Sequence, residues 1–198
     1  MTLDSYRSHA KVIIDPIASA AIRIGLTPNF LTIAAFLASA AAGVLFYLNM
    51  ELLAILAVFA NAVCDAVDGA VARQMNIQSV RGDFLDHAVD RYADIFIITG
   101  IFAGGLVSWQ VGVFALTGVL MASYLGTQAQ AVGVGRYYGG MLGRADRLVL
   151  IIIVGLLNIL VPAGLFGISF MTWLLLCFGL FGHITAFQRF AYVWRKME

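Results

Sequence analysis

Six long apolar runs constrain the fold more than any other feature of the sequence. Each run has about the 20 residues that a helix needs to cross the hydrocarbon layer of a membrane. The runs cover residues 29–49, 52–73, 85–106, 108–132, 146–163 and 168–191. Only 12% of the residues are charged, roughly half of the ~25% found in an ordinary soluble domain. The sequence therefore predicts an all-α integral membrane protein with six transmembrane helices.

The positive charges fall on one side of this topology. All 12 Lys and Arg residues lie in the N-terminal segment, near the connection between spans two and three, in the connection between spans four and five, or near the C-terminus. The other three connections contain no Lys or Arg. Because cytoplasmic connections are enriched in these residues, we expect both termini to lie in the cytoplasm.

The segment before the first span has an amphipathic pattern. Apolar residues between positions 3 and 14 share one helix face, with basic residues opposite. This pattern favours a helix lying on the cytoplasmic interface over an ordinary cytoplasmic tail. Pro16, with Asp15 as its cap, is expected to begin a second short helix. The chain is thus predicted to form one domain, with a juxtamembrane segment at 1–27 and a six-span bundle at 28–198.

Five aspartates lie within 26 residues, from the last part of the second apolar run to the first part of the third. Asp65 and Asp68 are three residues apart and Asp86 and Asp90 are four apart, so each pair shares a helix face. The polar connection between the pairs is expected to reverse the chain, with Gly82 as its joint. Two antiparallel helices would then bring four carboxylates together near the membrane surface.

Clustered carboxylates need neutralising partners, because two unit charges 4 Å apart repel by about 4 kcal/mol even at an effective dielectric near 20. All-oxygen ligands suit Mg²⁺ or Mn²⁺, and a paired-metal site is the usual machinery of phosphoryl chemistry. Solvated loop charges, the alternative, do not explain why Asp94 continues the stripe into an apolar span. Asp94 is expected to support a ligand or to bond a neighbouring helix. Asp83 is expected in solvent, and His87 as a packed or interfacial histidine.

The spacing resembles the signature of the CDP-alcohol phosphotransferase family at all eight of its defined positions, which are Asp65, Asp68, Gly69, Ala72, Arg73, Gly82, Asp86 and Asp90. The six spans and the interfacial helix also resemble that family. The resemblance implies that a CDP-linked lipid, CDP-archaeol or CDP-diacylglycerol, donates its phosphatidyl-type group to an alcohol while CMP leaves. It also implies a homodimer, with the bilayer and small molecules rather than nucleic acid as partners.

The resemblance implies roles for particular residues. Asp65, Asp68, Asp86 and Asp90 would bind two divalent cations, Mg²⁺ or Mn²⁺, and Asp90 would also be the catalytic general base. Small residues after Asp68 leave the helix open to a phosphate that Arg73 can grip. The positions that would contact the CDP-lipid are Pro28, Asn29, Phe30, Leu31, Gly69, Ala72, Arg73, Ser79 and Gly82.

Three arginines in the connection between spans four and five point to a phosphorylated acceptor. Arg136, Arg144 and Arg147 suit a dianionic phosphate, although the positive-inside rule alone also accounts for them. Asp146 is expected to orient one of them through an ion pair. The surrounding segment resembles the family members that use inositol 1-phosphate, the archaetidylinositol phosphate synthases more than the phosphatidylinositol phosphate synthases.

Two alternatives remain at this point. Glycerol 3-phosphate is also a phosphomonoester, so the arginines do not separate it from inositol phosphate. A cation transporter would spread its acidic residues through the membrane depth, whereas these aspartates crowd at one face of the predicted bundle.

Overall fold

The computed structural model describes residues 7–135, 137 and 139–197, and it describes side chains from residue 11 onward. This part of the chain forms seven helices and no strand beyond one isolated bridge between Leu165 and Ile168. The helices are α1 Arg7–Arg23, α2 Pro28–Tyr47, α3 Glu51–Gln74, α4 Val80–Ala103, α5 Trp109–Ala131, α6 Arg144–Leu160 and α7 Phe170–Lys196. The all-α prediction is confirmed, and helices α2 to α7 occupy the six predicted runs.

Four of the helices, α2, α3, α5 and α7, are long and apolar enough to cross a membrane. Helix α4 is less apolar because it carries Asp86, Asp90, Arg91 and Asp94. Helix α6 has only 17 residues, which is about 25 Å at 1.5 Å per residue. Large apolar side chains are exposed on the outward faces of the bundle, among them Leu37, Leu56 and Phe59, as expected of surfaces in contact with lipid.

Helix α1 is continuous, so the prediction that Pro16 begins a second helix is wrong. The tertiary structure supplies partners around the proline: the Asp15 carbonyl accepts hydrogen bonds from Ser19 Oγ at 2.9 Å and from Gln74 Nε2 at 3.1 Å. Ala18 and Ala21 are buried in a cluster with residues of α2 and α3. Packing on α3 therefore keeps the helix intact across a residue that usually breaks one.

Helix α2 lies against both α3 and α4. It approaches α4 closely because glycines face each other: a Cβ at Gly43 would lie 2.5 Å from the Phe96 carbonyl oxygen, and a Cβ at Gly100 would overlap the backbone of Gly43. Helices α5 and α7 also pack extensively, and a Cβ at Gly182 would lie only 2.5 Å from the backbone of Gly118. Small residues of this kind allow close helix packing within membranes.

The reversal between α3 and α4 differs from the prediction. It occurs at residues 75–79, where Asn76 adopts a left-handed conformation with φ of 54°, and Ser79 caps α4 by accepting the Gly82 N–H at 3.1 Å. Gly82 lies inside the first turn of α4 and is not the joint. Asparagine is one of the few non-glycine residues that adopt this conformation readily, which the prediction overlooked.

Candidate active site

Three of the four predicted metal ligands converge where α3 ends and α4 begins. Asp65, Asp68 and Asp86 each present a carboxylate oxygen, and these oxygens all lie within 4.8 Å of one another. Their all-oxygen chemistry and negative charge fit a hard divalent cation such as Mg²⁺ or Mn²⁺. The reversal of the chain between α3 and α4 thus brings together three of the four carboxylates that the aspartate spacing predicts to meet.

Asp68 is buried, and a residue of α2 holds it. Its Oδ2 accepts a hydrogen bond of 2.7 Å from Thr32 Oγ1. Thr32 was not predicted from the sequence, because a threonine within an apolar run gives no sign that its helix packs beside the aspartates.

Asp90 lies outside this group of three, and an arginine of α6 connects it to the group. Arg144 Nη1 lies 2.6 Å from Asp65 Oδ1 and 2.8 Å from Asp90 Oδ1. Arg144 Nη2 also reaches Asn61 Oδ1 at 3.5 Å, while Asn61 Nδ2 donates to the Ala35 carbonyl at 2.8 Å. Arg144 therefore contacts the acidic cluster directly, where the sequence analysis expected it only at an acceptor phosphate. Asn61 was also missed.

One turn deeper, a second arginine of α6 pairs with Asp94. Arg147 Nη2 lies 2.7 Å from Asp94 Oδ2, and both residues are buried. This ion pair connects α6 to α4, so Asp94 bonds a neighbouring helix, one of the two roles expected of it. Asp146 was expected to orient an arginine, but its Oδ2 accepts the Gly143 N–H at 2.8 Å and caps the start of α6.

The remaining polar residues of α4 lie nearer to solvent. The side chain of Asp83 is 67% exposed, as predicted. His87 is half-buried, with Nδ1 3.7 Å from Asp83 Oδ1 and 3.8 Å from Asp86 Oδ2.

A cavity of about 170 Å³ lies beside the acidic cluster and is rich in arginine. Its lining includes Arg91, Arg144, Arg147 and Arg189, together with Ser123, Thr127 and Tyr137. Guanidinium groups and hydroxyls arranged in this way suit a phosphate or a polyhydroxylated anion. Arg136, the third predicted acceptor residue, lies outside the described residues.

Arg189 was not predicted from the sequence, because it lies on the last helix, far along the chain from the other arginines of the cavity. Its Nη1 donates to the Ala122 carbonyl at 2.6 Å, and its Nε donates to the Gly139 carbonyl at 2.8 Å. These bonds hold the connection between α5 and α6 against α7. Arg91 also lines the cavity and was not predicted as an acceptor-binding residue.

The residues that the resemblance implies for CDP-lipid binding occupy three helix ends. Pro28 begins α2 after its cap Thr27, and Asn29 and Phe30 are exposed, but the Leu31 side chain is buried in the packing between helices. On α3, the Arg73 guanidinium lies over Gly69, where a Cβ would meet its Nη1 at 3.2 Å, and Ala72 is half-buried. Ser79 and Gly82 form the capped start of α4.

Apolar helices around converging carboxylates, with an adjacent cavity for an anion, define an integral membrane protein suited to phosphate-transfer chemistry. The sequence model of the CDP-alcohol phosphatidyltransferase family matches residues 25–185. The chain belongs to this family. It is therefore a CDP-alcohol phosphotransferase, an enzyme rather than the cation transporter considered above.

Curated relatives and solved structures agree with this assignment. The archaetidylinositol phosphate synthase of Pyrococcus horikoshii is 36% identical over 172 residues, which is 87% of this chain and 91% of that protein. The synthase of the same name from Methanothermobacter thermautotrophicus is 32% identical over 196 residues, 99% of this chain and 96% of that protein.

The fold is also similar to that of a crystallised enzyme, the phosphatidylinositol phosphate synthase PgsA1 of Mycobacterium tuberculosis. Its structure with CDP-DAG bound is 26% identical and has a TM-score of 0.76, covering 92% of this chain and 94% of that one. Its complex with manganese and citrate is 25% identical, with a TM-score of 0.77, covering 91% of this chain and 88% of that one.

The buried pair between α4 and α6 leads to a prediction about stability. Asp94→Leu leaves the Arg147 charge buried without its partner, which costs about 3–5 kcal/mol. We expect a clear decrease in the unfolding temperature of the purified protein in detergent, as measured by tryptophan fluorescence. The double variant Asp94→Leu/Arg147→Met removes both charges and should recover most of the loss. Asp83→Leu, at an exposed site on the same helix, is the control, and equal stability of Asp94→Leu and this control would contradict the prediction.

Proposed function

We propose that the chain transfers the phosphatidyl-type group of a CDP-linked lipid, CDP-archaeol or CDP-diacylglycerol, to inositol 1-phosphate and releases CMP. The observation that carries this proposal is the position of Arg144, which contacts Asp65 and Asp90 and also lines the arginine-rich cavity. A group that deprotonates an acceptor and a cavity that binds the acceptor's phosphate are therefore adjacent. The names of the two curated relatives and of the crystallised enzyme support inositol phosphate as the acceptor.

In this proposal Asp65, Asp68, Asp86 and Asp90 hold two divalent cations, Mg²⁺ or Mn²⁺. When bound, the cations would polarise the phosphate under attack and stabilise the charge of the departing CMP. The manganese complex of the similar crystallised enzyme supports the use of a divalent ion. The divalent charge would also take over part of the neutralisation that Arg144 provides for Asp65 and Asp90.

Asp90 is proposed as the general base. It accepts the proton of the acceptor hydroxyl as the hydroxyl oxygen bonds to the lipid-side phosphorus, and CMP leaves with the electrons of the broken P–O bond. The Asp90 side chain is largely buried and meets Arg144 on one oxygen. A base held in a fixed orientation near the acceptor is what general base catalysis requires.

The acceptor phosphate is proposed to bind in the arginine-rich cavity through Arg144 and Arg147, with Arg91 and Arg189 as further donors. Arg136 stays a prediction from the sequence for the same role. A phosphate dianion accepts several charge-assisted hydrogen bonds, and the cavity hydroxyls of Ser123, Thr127 and Tyr137 suit the ring of inositol. The fork of each guanidinium fixes the phosphate in one orientation.

The CDP-lipid is proposed to bind at the ends of α2, α3 and α4, with its tails in the bilayer. Arg73, whose guanidinium lies over Gly69, is proposed to contact a phosphate, and the small side chain of Ala72 is proposed to leave room beside it. The buried side chain of Leu31 limits that residue to backbone contacts. The remaining proposed contacts are Pro28, Asn29, Phe30, Ser79 and Gly82.

We further propose one domain of six spans preceded by an interfacial helix, a cytoplasmic site with both termini on that side, and a homodimer. The distribution of Lys and Arg supports the orientation. The burial of Asp94 against Arg147 supports α4 as a span because these two charges are shielded from lipid. The dimer rests on the family resemblance alone.

The identity of the acceptor is tested by offering radiolabelled inositol 1-phosphate and glycerol 3-phosphate separately to the purified protein with a CDP-lipid. We expect label in the lipid fraction with inositol 1-phosphate, together with release of CMP, because the cavity suits a phosphorylated polyol. Label from glycerol 3-phosphate alone would replace the favoured acceptor and keep the chemistry. CDP-archaeol and CDP-diacylglycerol in parallel reactions would identify the lipid.

Replacing the proposed base should separate catalysis from folding. Asp90→Asn removes the proton acceptor while keeping the size of the side chain, so we expect turnover to decrease by at least about 10²–10⁴-fold with an unchanged gel-filtration profile. Asp83→Asn on the same helix should retain activity. Turnover of the Asp90 variant close to that of the Asp83 variant would contradict the assignment.

The arginine-rich cavity predicts a selective effect on acceptor binding. Arg147→Lys keeps the positive charge but loses the bidentate fork, and one lost charge-assisted hydrogen bond is worth about 1.5–3 kcal/mol. We therefore expect the KM for the acceptor to rise by about ten- to a hundredfold while the KM for the CDP-lipid changes little. Arg195→Lys, at an exposed position near the end of α7, is the matched control. If the acceptor KM is unchanged in both variants, Arg147 contributes to membrane orientation and helix packing rather than to acceptor binding.

A further inference from the structure

Helix α2 reaches the acidic cluster through a single polar side chain. Thr32 is buried, with 5% of its surface exposed, and Asp68 is the most buried aspartate of the cluster at 6%. Thr32 Oγ1 lies 2.7 Å from Asp68 Oδ2. A short, solvent-excluded contact between a hydroxyl and a carboxylate is a strong hydrogen bond.

The Thr32 hydroxyl has two acceptors and only one proton. A helical threonine usually donates to the carbonyl four residues earlier, and Thr32 Oγ1 does lie 3.0 Å from the Pro28 carbonyl. The Asp68 oxygen is nearer and carries a negative charge, so it is the stronger acceptor. The proton is therefore directed across the helix interface to Asp68.

This bond restricts the rotation of the Asp68 carboxylate. An ionised carboxylate has about four lone-pair sites, and the hydroxyl occupies one of them on Oδ2. The remaining sites stay available toward Asp65 and Asp86, with which Asp68 forms the group of oxygens within 4.8 Å. Removing a residue that orients a metal ligand through a hydrogen bond typically lowers metal affinity by about 10–100-fold.

We propose that Thr32 is a positioning residue for the divalent-cation site and acts by orienting Asp68. This inference rests on one part of the proposed function, namely that the aspartates bind a divalent cation. It gives α2 a role in the metal site. The spacing of the aspartates on α3 and α4 did not predict this role. It also joins the metal site to the first turn of α2, where the CDP-lipid is proposed to bind.

The test measures Mn²⁺ affinity by electron paramagnetic resonance on the full-length protein in detergent, without either substrate. Thr32→Val is nearly isosteric and lacks the hydroxyl, and we expect it to bind Mn²⁺ at least about tenfold more weakly than the unmodified protein. Thr32→Ser keeps the hydroxyl and is expected to restore the affinity. The unfolding temperature is recorded for every variant.

Ser39→Ala is the matched control. Ser39 lies on α2, is fully buried, and its Oγ donates to the Phe36 carbonyl at 2.7 Å. Its replacement also removes a buried hydroxyl from α2 but leaves the aspartates untouched, so Mn²⁺ affinity should not change.

The possible outcomes separate this inference from the proposed function. Unchanged Mn²⁺ affinity in Thr32→Val, with or without a lower unfolding temperature, overturns the positioning role. If Thr32→Val does not fold, Thr32→Ala is compared with Thr32→Ser on the same measurement, and failure of both Val and Ala to fold assigns the hydroxyl to stability and overturns the proposal. Absence of Mn²⁺ binding in the unmodified protein overturns the metal site and this inference together. Failure to label lipid from inositol 1-phosphate, with Mn²⁺ binding intact, overturns only the proposed acceptor.

Discussion

The balance of charge between the aspartates of α3 and α4 and the first turn of α6 is the interaction on which the rest of the structure depends. Carboxylates placed close together within an apolar bundle repel one another strongly, because neither water nor a high dielectric screens them. Arg144 meets Asp65 and Asp90, and Arg147 meets Asp94. These contacts hold α3, α4 and α6 together at the end of the bundle where the chemistry is proposed.

The same two arginines contact the aspartates and also line the adjacent cavity. Charges that only stabilised the bundle would be hidden from any ligand, whereas Arg144 and Arg147 both line the anion-sized space beside the aspartates. An incoming phosphate or a divalent cation therefore competes with contacts that already exist. Electrostatic stabilisation of the protein and the proposed recognition of substrate are then properties of one network, which explains why polar residues occur inside an otherwise apolar protein.

Helix α2 organises this network although it contributes no acidic residue. Its close crossing with α4 at Gly43 and Gly100 sets the separation of the two helices. Its contacts with α3 include the Ala35 carbonyl, which holds Asn61, and the Thr32 hydroxyl, which holds Asp68. The aspartate spacing predicted the carboxylate cluster, and the family resemblance implied Gly69 and Arg73 as CDP-lipid contacts. It contained no information about Thr32 or Asn61, because both depend on how α2 packs.

The sequence by itself determined the six apolar helical runs, the pairing of aspartates on common helix faces and the family, since each of these depends on residues close together along the chain. Local patterns failed where distant residues intervened: packing on Gln74 carries α1 through Pro16, and Asn76 rather than Gly82 turns the chain. Only the tertiary structure decided that Arg144 contacts the carboxylates and that Arg189 joins the cavity. Those contacts cross from one helix to another, and helical periodicity says which residues share a face but not which face meets which neighbour.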